Sequence, residues 1–197
     1  MSKRVALIRH GHSEHNYSSA TSLRWLGHLF GVDRRLTAAG REQAEQLGEE
    51  VRSSESHTLR TVEVVISSPL SRALETTLLI FGESPRRCVS HLHTERCIFP
   101  CDTGSSKEEL LTRFPSLESW EGFQELPDEW WPKDSLWTEL TPTARVEEFK
   151  HFLLQRPEAV LAVVGHSGFF RQVVGRKMQN CEVVWLELTP DAVRLME

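Results

Sequence analysis

Two histidines and two arginines stand where the chain could grip an anion. Arg9-His10-Gly11-His12-Ser13 follows one short apolar run, and Gly165-His166-Ser167-Gly168 follows another. Between them, Ser67-Ser68-Pro69-Leu70-Ser71-Arg72 puts an arginine in the first turn of a predicted helix. The amide dipoles of such a turn favour negative charge. Arginine offers a planar fork of donors that matches phosphoryl oxygens, so together these pieces have the make-up of a phosphate pocket. Each piece alone has a plainer meaning. A histidine after a strand commonly makes a structural hydrogen bond, and an arginine in a first turn commonly sits in solvent. Ser167 also misses the Gly-x-Ser-x-Gly spacing of a hydrolase nucleophile elbow. The signal lies in the combination.

Positioning these groups requires strands that end at them. Val5 to Ile8 and Val160 to Val164 are continuous apolar runs, as in strands covered on both faces. Val62 to Ile66 reads as a further buried strand, Arg87 to Leu92 as a weaker one, and Val183 to Leu188 and Val193 to Met196 as closing strands. Helical spacing marks Thr37 to Val51, with Thr37 as cap, and a segment through Ala73, Leu74, Leu78 and Phe81 that stops at Gly82. Ser68 is placed to cap that second helix and Pro69 to open it. Thr141-Pro142 opens another helix carrying Val146, Phe149 and Leu153, and a short one runs from about Phe169 to Arg176. Alternating strands and helices imply a three-layer α/β/α sandwich around a mostly parallel, mixed sheet. In such sheets ligands bind beyond the carboxyl ends of the strands, where both histidine motifs fall.

The 197 residues are expected to form a single domain, and 39% hydrophobic with 26% charged residues is ordinary for a globular protein with a sizeable core. A net charge of -5 speaks against a broadly basic nucleic-acid binder. No apolar run approaches the ~20 residues of a membrane helix, and Val5 to Ile8 is too short for a signal peptide. The expectation is a cytoplasmic protein with reduced thiols, binding neither nucleic acid nor membrane. Seven carboxylates fall between Lys107 and Glu129, and Trp120, Trp130, Trp131 and Trp137 cluster in or just after that stretch. Residues 102–140 therefore read as an acidic, Trp-rich insertion. It would be a lid, a docking surface or, most simply, an excursion pinned down by its tryptophans.

Arg9-His10-Gly11, then Asn16, then Ser67-Ser68-Pro69-x-x-Arg72-Ala73-x-x-Thr76, then Gly165-His166-Ser167-Gly168 together resemble the histidine phosphatase superfamily, whose best-known members are the cofactor-dependent phosphoglycerate mutases. Leu36-Thr37-x-x-Gly40-x-x-Gln43-Ala44 is similar to the segment that follows the family's catalytic loop. The resemblance implies a phosphoglycerate mutase-like fold and a role for each matching residue. His10 would be the nucleophile that takes the phosphoryl group. Arg9, Arg72 and His166 would hold its oxygens, with Asn16, Gly11, Ser167 and Arg96 as further phosphate or substrate contacts. Glu95, after the third strand, would be the proton donor to the leaving alkoxide; the plainer meaning is a surface carboxylate paired with Arg96. Phosphoryl transfer asks mainly for positioning and charge neutralisation, which these cations provide with no metal and no cofactor. They also favour the unprotonated ring that His10 needs for attack.

The expected function is hydrolysis of a small phosphorylated metabolite through phosphohistidine. One alternative is a mutase. Mutases of the family continue past the acid with Tyr-Gly, where this chain has Cys97-Ile98, and carry a tryptophan where His15 stands. Their insertion holds paired arginines; here residues 102–140 offer only Lys107, Arg113 and Lys133. A phosphate-binding module without catalysis is an alternative from another class, but the expected nucleophile, arginines and acid are all present. His91, His93, Cys97 and Cys101 could suggest zinc, although their spacing fits no common zinc knuckle. Pro100-Cys101-Asp102 is similar to a motif of mutase-like proteins that need no metal. His93, Asp102 and His12 remain alternative proton donors.

Overall fold

The computed structural model describes residues 2–14, 32–95, 100–131 and 143–196. Asn16 and Arg96 lie outside the described residues, as do Cys97, Lys133, Trp137 and the Thr141-Pro142 pair. One six-stranded sheet holds β1 (Lys3–Arg9), β2 (Val64–Ser67), β3 (Arg86–Val89), β4 (Val160–Gly165), β5 (Val183–Leu188) and β6 (Val193–Leu195) in the order β3-β2-β4-β1-β5-β6. The pairs β3-β2, β2-β4 and β4-β1 are parallel, whereas β5 and β6 extend the sheet antiparallel beyond β1. The sheet is thus mixed, with its parallel part running from the β3 edge to β1.

Helices cover both faces. On one, Ala6, Ile8, Val65 and Val164 pack with Ala44 and Val51 of α1 (Ala38–Ser53) and with Ala73 and Ile80 of α2 (Ser71–Phe81). On the other, Val5, Leu7, Val64 and Val163 meet Val146, Phe149 and Leu153 of the helix Thr143–Gln155 and Phe169 and Phe170 of the helix Ser167–Val174. This double cover explains why the central strands read as unbroken apolar runs. The first helix starts as expected, with the Thr37 hydroxyl accepting the Gly40 N–H at 3.1 Å.

The second helix starts differently from the sequence expectation. It begins at Ser71, and neither Ser68 nor Pro69 forms its first turn. Asp33 caps it from a distant stretch, accepting the Ser71 N–H at 2.7 Å and the Ser71 hydroxyl at 2.6 Å. A carboxylate at the positive end of a helix is a stronger acceptor than a neutral hydroxyl, so the tertiary cap displaces the local one. β3 stops at Val89, short of the expected Leu92, because Ser90 caps a single 3-10 turn at His91–His93.

In the expected insertion, α3 (Lys107–Arg113) is followed by a 3-10 turn at Pro115–Ser119. Leu110, Phe114, Leu117, Trp120, Phe123, Leu126 and Trp130 form a core against Leu70, Leu74 and Val89. Trp130 also donates its indole N–H to the Ser105 carbonyl at 3.0 Å. All seven carboxylates between Lys107 and Glu129 remain exposed. Trp120 and Trp130 therefore fasten this segment to the face of α2, and its charge stays in water. The last two helices are numbered α4 (Thr143–Gln155) and α5 (Ser167–Val174). Among the described residues no helix is long and apolar enough to cross a membrane.

Candidate active site

β1 and β4 are parallel neighbours with Arg9 opposite Gly165, and β2 flanks β4 with Ser67 opposite Val164. Three adjacent carboxyl ends therefore deliver Arg9-His10, Gly165-His166 and Ser67-Ser68 to one edge of the sheet. That is where an open α/β sheet presents a ligand site.

His10 is buried, with its N–H on the Gly165 carbonyl at 3.0 Å and its own carbonyl accepting from Asn180 Nδ2 at 2.9 Å. Its Nδ1 lies 2.7 Å from the Gly11 carbonyl. A carbonyl can only accept, so Nδ1 carries the hydrogen and the lone pair of the neutral ring falls on Nε2. The His166 ring lies 5.2 Å from that of His10, centre to centre, and its Nε2 shares a hydrogen bond with Ser68 Oγ at 2.9 Å. Gly11 donates its N–H to Thr76 Oγ1 at 3.1 Å, and that hydroxyl donates to the Arg72 carbonyl at 2.7 Å. The loop after β1 is thus tied to the helix bearing Arg72. Gly11 and Gly40 let this loop lie against α1, since a Cβ on Gly40 would sit 1.8 Å from the His12 carbonyl oxygen.

Arg72 is fully buried; Nη1 donates to the Cys101 carbonyl and Nη2 to Asp102 Oδ1, both at 2.9 Å. Arg9 donates Nη1 to the Met178 carbonyl at 2.8 Å. Both arginines keep a buried Nε with no hydrogen-bond partner among the described residues. Buried donors without acceptors are costly, and an oxyanion is the acceptor that suits a guanidinium. Burial lowers the Arg9 pKa, the Glu95 charge opposes this, and the Arg72 charge adds to it. Arginine nonetheless stays charged at neutral pH. Glu95 and Arg72 both stand within electrostatic reach of Arg9.

Glu95 Oε2 accepts the Gly168 N–H at 3.1 Å, which brings its carboxylate to the first turn of α5. Only glycine permits this approach: a Cβ at residue 168 would lie 2.2 Å from Glu95 Oε1. Ser167 Oγ accepts the Met178 N–H at 3.3 Å, bracing the residue whose carbonyl holds Arg9.

The alternative donors are placed less well for acid catalysis. His93 is fully buried, stacked at 4.7 Å on Phe149, and bonded through Nε2 to the Val164 carbonyl at 3.1 Å. Burial takes its pKa down to about 3. These contacts make His93 a core histidine; Cys97, which the zinc alternative also needs, lies outside the described residues. Asp102 is bound to Arg72. His12 bonds through Nδ1 to Thr37 Oγ1 at 3.0 Å, and burial followed by Arg9 lowers its pKa.

Two residues near the site escape sequence reasoning. Asn180 holds the His10 carbonyl and Asp33 caps the Arg72 helix. No local motif marks either; the only trace is an acid or amide in a turn-forming stretch.

The model of the histidine phosphatase superfamily (branch 1) matches residues 5–196. "Phosphoglycerate mutase-like protein 1" of Arabidopsis thaliana is 28% identical over 91% of this chain and 73% of its own length. A phosphoserine phosphatase variant from Entamoeba histolytica, solved with phosphoserine, superposes with a TM-score of 0.60 at 19% identity, covering 99% of this chain and 95% of that one. The α-ribazole phosphatase of Shigella flexneri gives 0.59 at 18% identity, covering 98% and 94%. At these identities the two structures speak for the fold alone. The family match spans nearly the whole chain, and the protein belongs to the histidine phosphatase superfamily, branch 1.

Proposed function

We propose that the protein is a phosphomonoester hydrolase that works through a phosphohistidine on His10 and acts on a small phosphorylated metabolite. The observation that carries this reading is the Nδ1 bond from His10 to the Gly11 carbonyl, which puts the lone pair on Nε2 of a ring whose centre lies 5.2 Å from that of His166. Arg9, Arg72 and His166 hold the phosphoryl oxygens and offset their charge as the P–O bond lengthens. Nε2 forms the new N–P bond as the ester P–O bond breaks, and Glu95 gives its proton to the departing alkoxide. Water then attacks phosphorus, Glu95 takes its proton, and the N–P bond breaks to release phosphate and restore His10. Asn16, Gly11, Ser167 and Arg96 complete the phosphate and substrate contacts in this proposal.

Hydrolysis is favoured over a mutase by what two of the three cations of the insertion do. Lys107 Nζ donates to the carbonyls of Gln124 and Leu126 at 2.9 and 3.1 Å. Arg113 donates to Asp33 Oδ2 at 3.1 Å and to Ser71 Oγ at 2.9 Å, and also bonds Ser105. Both are engaged in holding the fold and not in cradling a second acidic group. With arginines supplying the positive charge, the proposed reaction needs no metal, and the unpaired thiols of Cys88, Cys101 and Cys181 suit the cytoplasm. Turnover of p-nitrophenyl phosphate tests the reading: the wild type should hydrolyse it and His10→Ala should not, whereas retained turnover in that variant would overturn it.

A further inference from the structure

We propose that Asp102 sets both the geometry and the charge of the phosphate site through Arg72, and so speeds release of inorganic phosphate. The inference rests on the hydrolase reading above.

Arg72 is the largest fully buried side chain among the described residues, and its two Nη groups face a pair of acceptors on one short turn, the Cys101 carbonyl and Asp102 Oδ1. Those bonds fix the plane of the guanidinium and leave its buried Nε edge for an oxyanion. The carboxylate itself is buried, with its side chain 5% exposed, so its charge is only weakly screened by water. A backbone carbonyl or an amide would position Arg72 equally well. A carboxylate does something further, because it offsets the Arg72 charge and repels a phosphate dianion held on the other edge. A hydrolase must let its product go, and a site with the full positive charge of Arg9 and Arg72 would hold phosphate more tightly. Asp102 is therefore a positioning residue, acting through Arg72 without carrying a proton to substrate.

Asp102→Asn and Asp102→Ala separate the two effects. Asparagine keeps an oxygen acceptor for Nη2 and removes the charge; alanine removes both. Calorimetric titration with inorganic phosphate should show Asp102→Asn binding about tenfold tighter than wild type, the order expected for one unit charge near a dianion in a partly screened site. Asp102→Ala should bind more weakly than Asp102→Asn, because Arg72 loses its anchor. In turnover, Asp102→Asn should lower kcat and deepen phosphate inhibition while KM for a phosphomonoester falls. A merely structural role predicts weaker phosphate binding in both variants, and that result overturns the proposal. Thermal melts establish folding; if Asp102→Asn does not fold, Asp102→Ser carries the same comparison. Unfolding of both would make the residue purely structural and overturn the proposal as well. Failure of wild type to bind phosphate or to turn over any phosphomonoester sinks the hydrolase reading, and this inference with it. Normal wild-type binding without tightening in Asp102→Asn sinks this inference alone.

Discussion

Replacing Gly168 with alanine puts a methyl carbon 2.2 Å from Oε1 of Glu95, against the 3.4 Å at which ordinary contact begins. The neighbour that must give way is the carboxylate, which has to retreat by about 1.2 Å. The Gly168 N–H, 3.1 Å from Oε2, then loses its acceptor or keeps it at a poor angle. A displacement of about 1 Å in a group that must meet a departing oxygen costs on the order of 10²-fold in rate. If Glu95 is the proton donor, the loss should depend on the leaving group. An alkoxide needs the proton and p-nitrophenolate does not, so Gly168→Ala should slow phosphorylation by an alkyl phosphate about 10²-fold and by p-nitrophenyl phosphate far less. Glu95→Gln should show the same split more strongly, at about 10²–10⁴-fold on the alkyl ester. Single-turnover kinetics isolate phosphorylation from the later hydrolysis, in which the same carboxylate would activate water. Equal losses on both esters would mean that Glu95 acts only in holding the start of α5 and that the proton comes from elsewhere.

Treatment with EDTA should leave turnover intact, because arginines supply the charge; activity lost and then restored by Zn²⁺ or Mg²⁺ would contradict this. His93 should make the fold acid-sensitive: its pKa drops from 6.5 to about 3 on folding, so the unfolded chain binds the extra proton and stability falls as pH drops below 6.5, continuing to about pH 3. Between pH 7.5 and 5.5 this one group accounts for about 1.4 kcal/mol, and urea titrations of His93→Leu should lack that part of the slope. Removing the ring leaves the Val164 carbonyl its bond from the Ser68 N–H at 3.0 Å, so the variant should still fold.

Those parts of the fold that local pattern encodes are legible in the sequence. The runs at Val5 and Val160 announce strands buried on both faces, and the polar residues that end them, Arg9-His10 and Gly165-His166, are neighbours because β1 and β4 pair in register. Thr37 caps its own helix, a contact spanning three residues. Features that depend on distant partners are not legible in the same way. Ser68 and Pro69 look like a helix start, but Asp33, well upstream, supplies the cap with full negative charge. Asn180 reaches back to His10 from beyond α5 with no motif to mark it. Asp102 can be singled out as an acid and an alternative proton donor, but its pairing with Arg72 joins residues 30 apart in sequence, and no local pattern marks it. Among the described residues, Trp120 and Trp130 bury themselves beside α2 while the carboxylates around them stay exposed.

In the proposed cycle the phosphoryl group passes through Nε2 of His10. Rapid quench of the wild type with a labelled phosphomonoester, followed by peptide mapping, tests it directly. Base-stable, acid-labile label is expected on the peptide containing His10, formed within the first turnover and absent from His10→Ala. Label on a serine, or no labelled protein in an enzyme that still turns over, would contradict it.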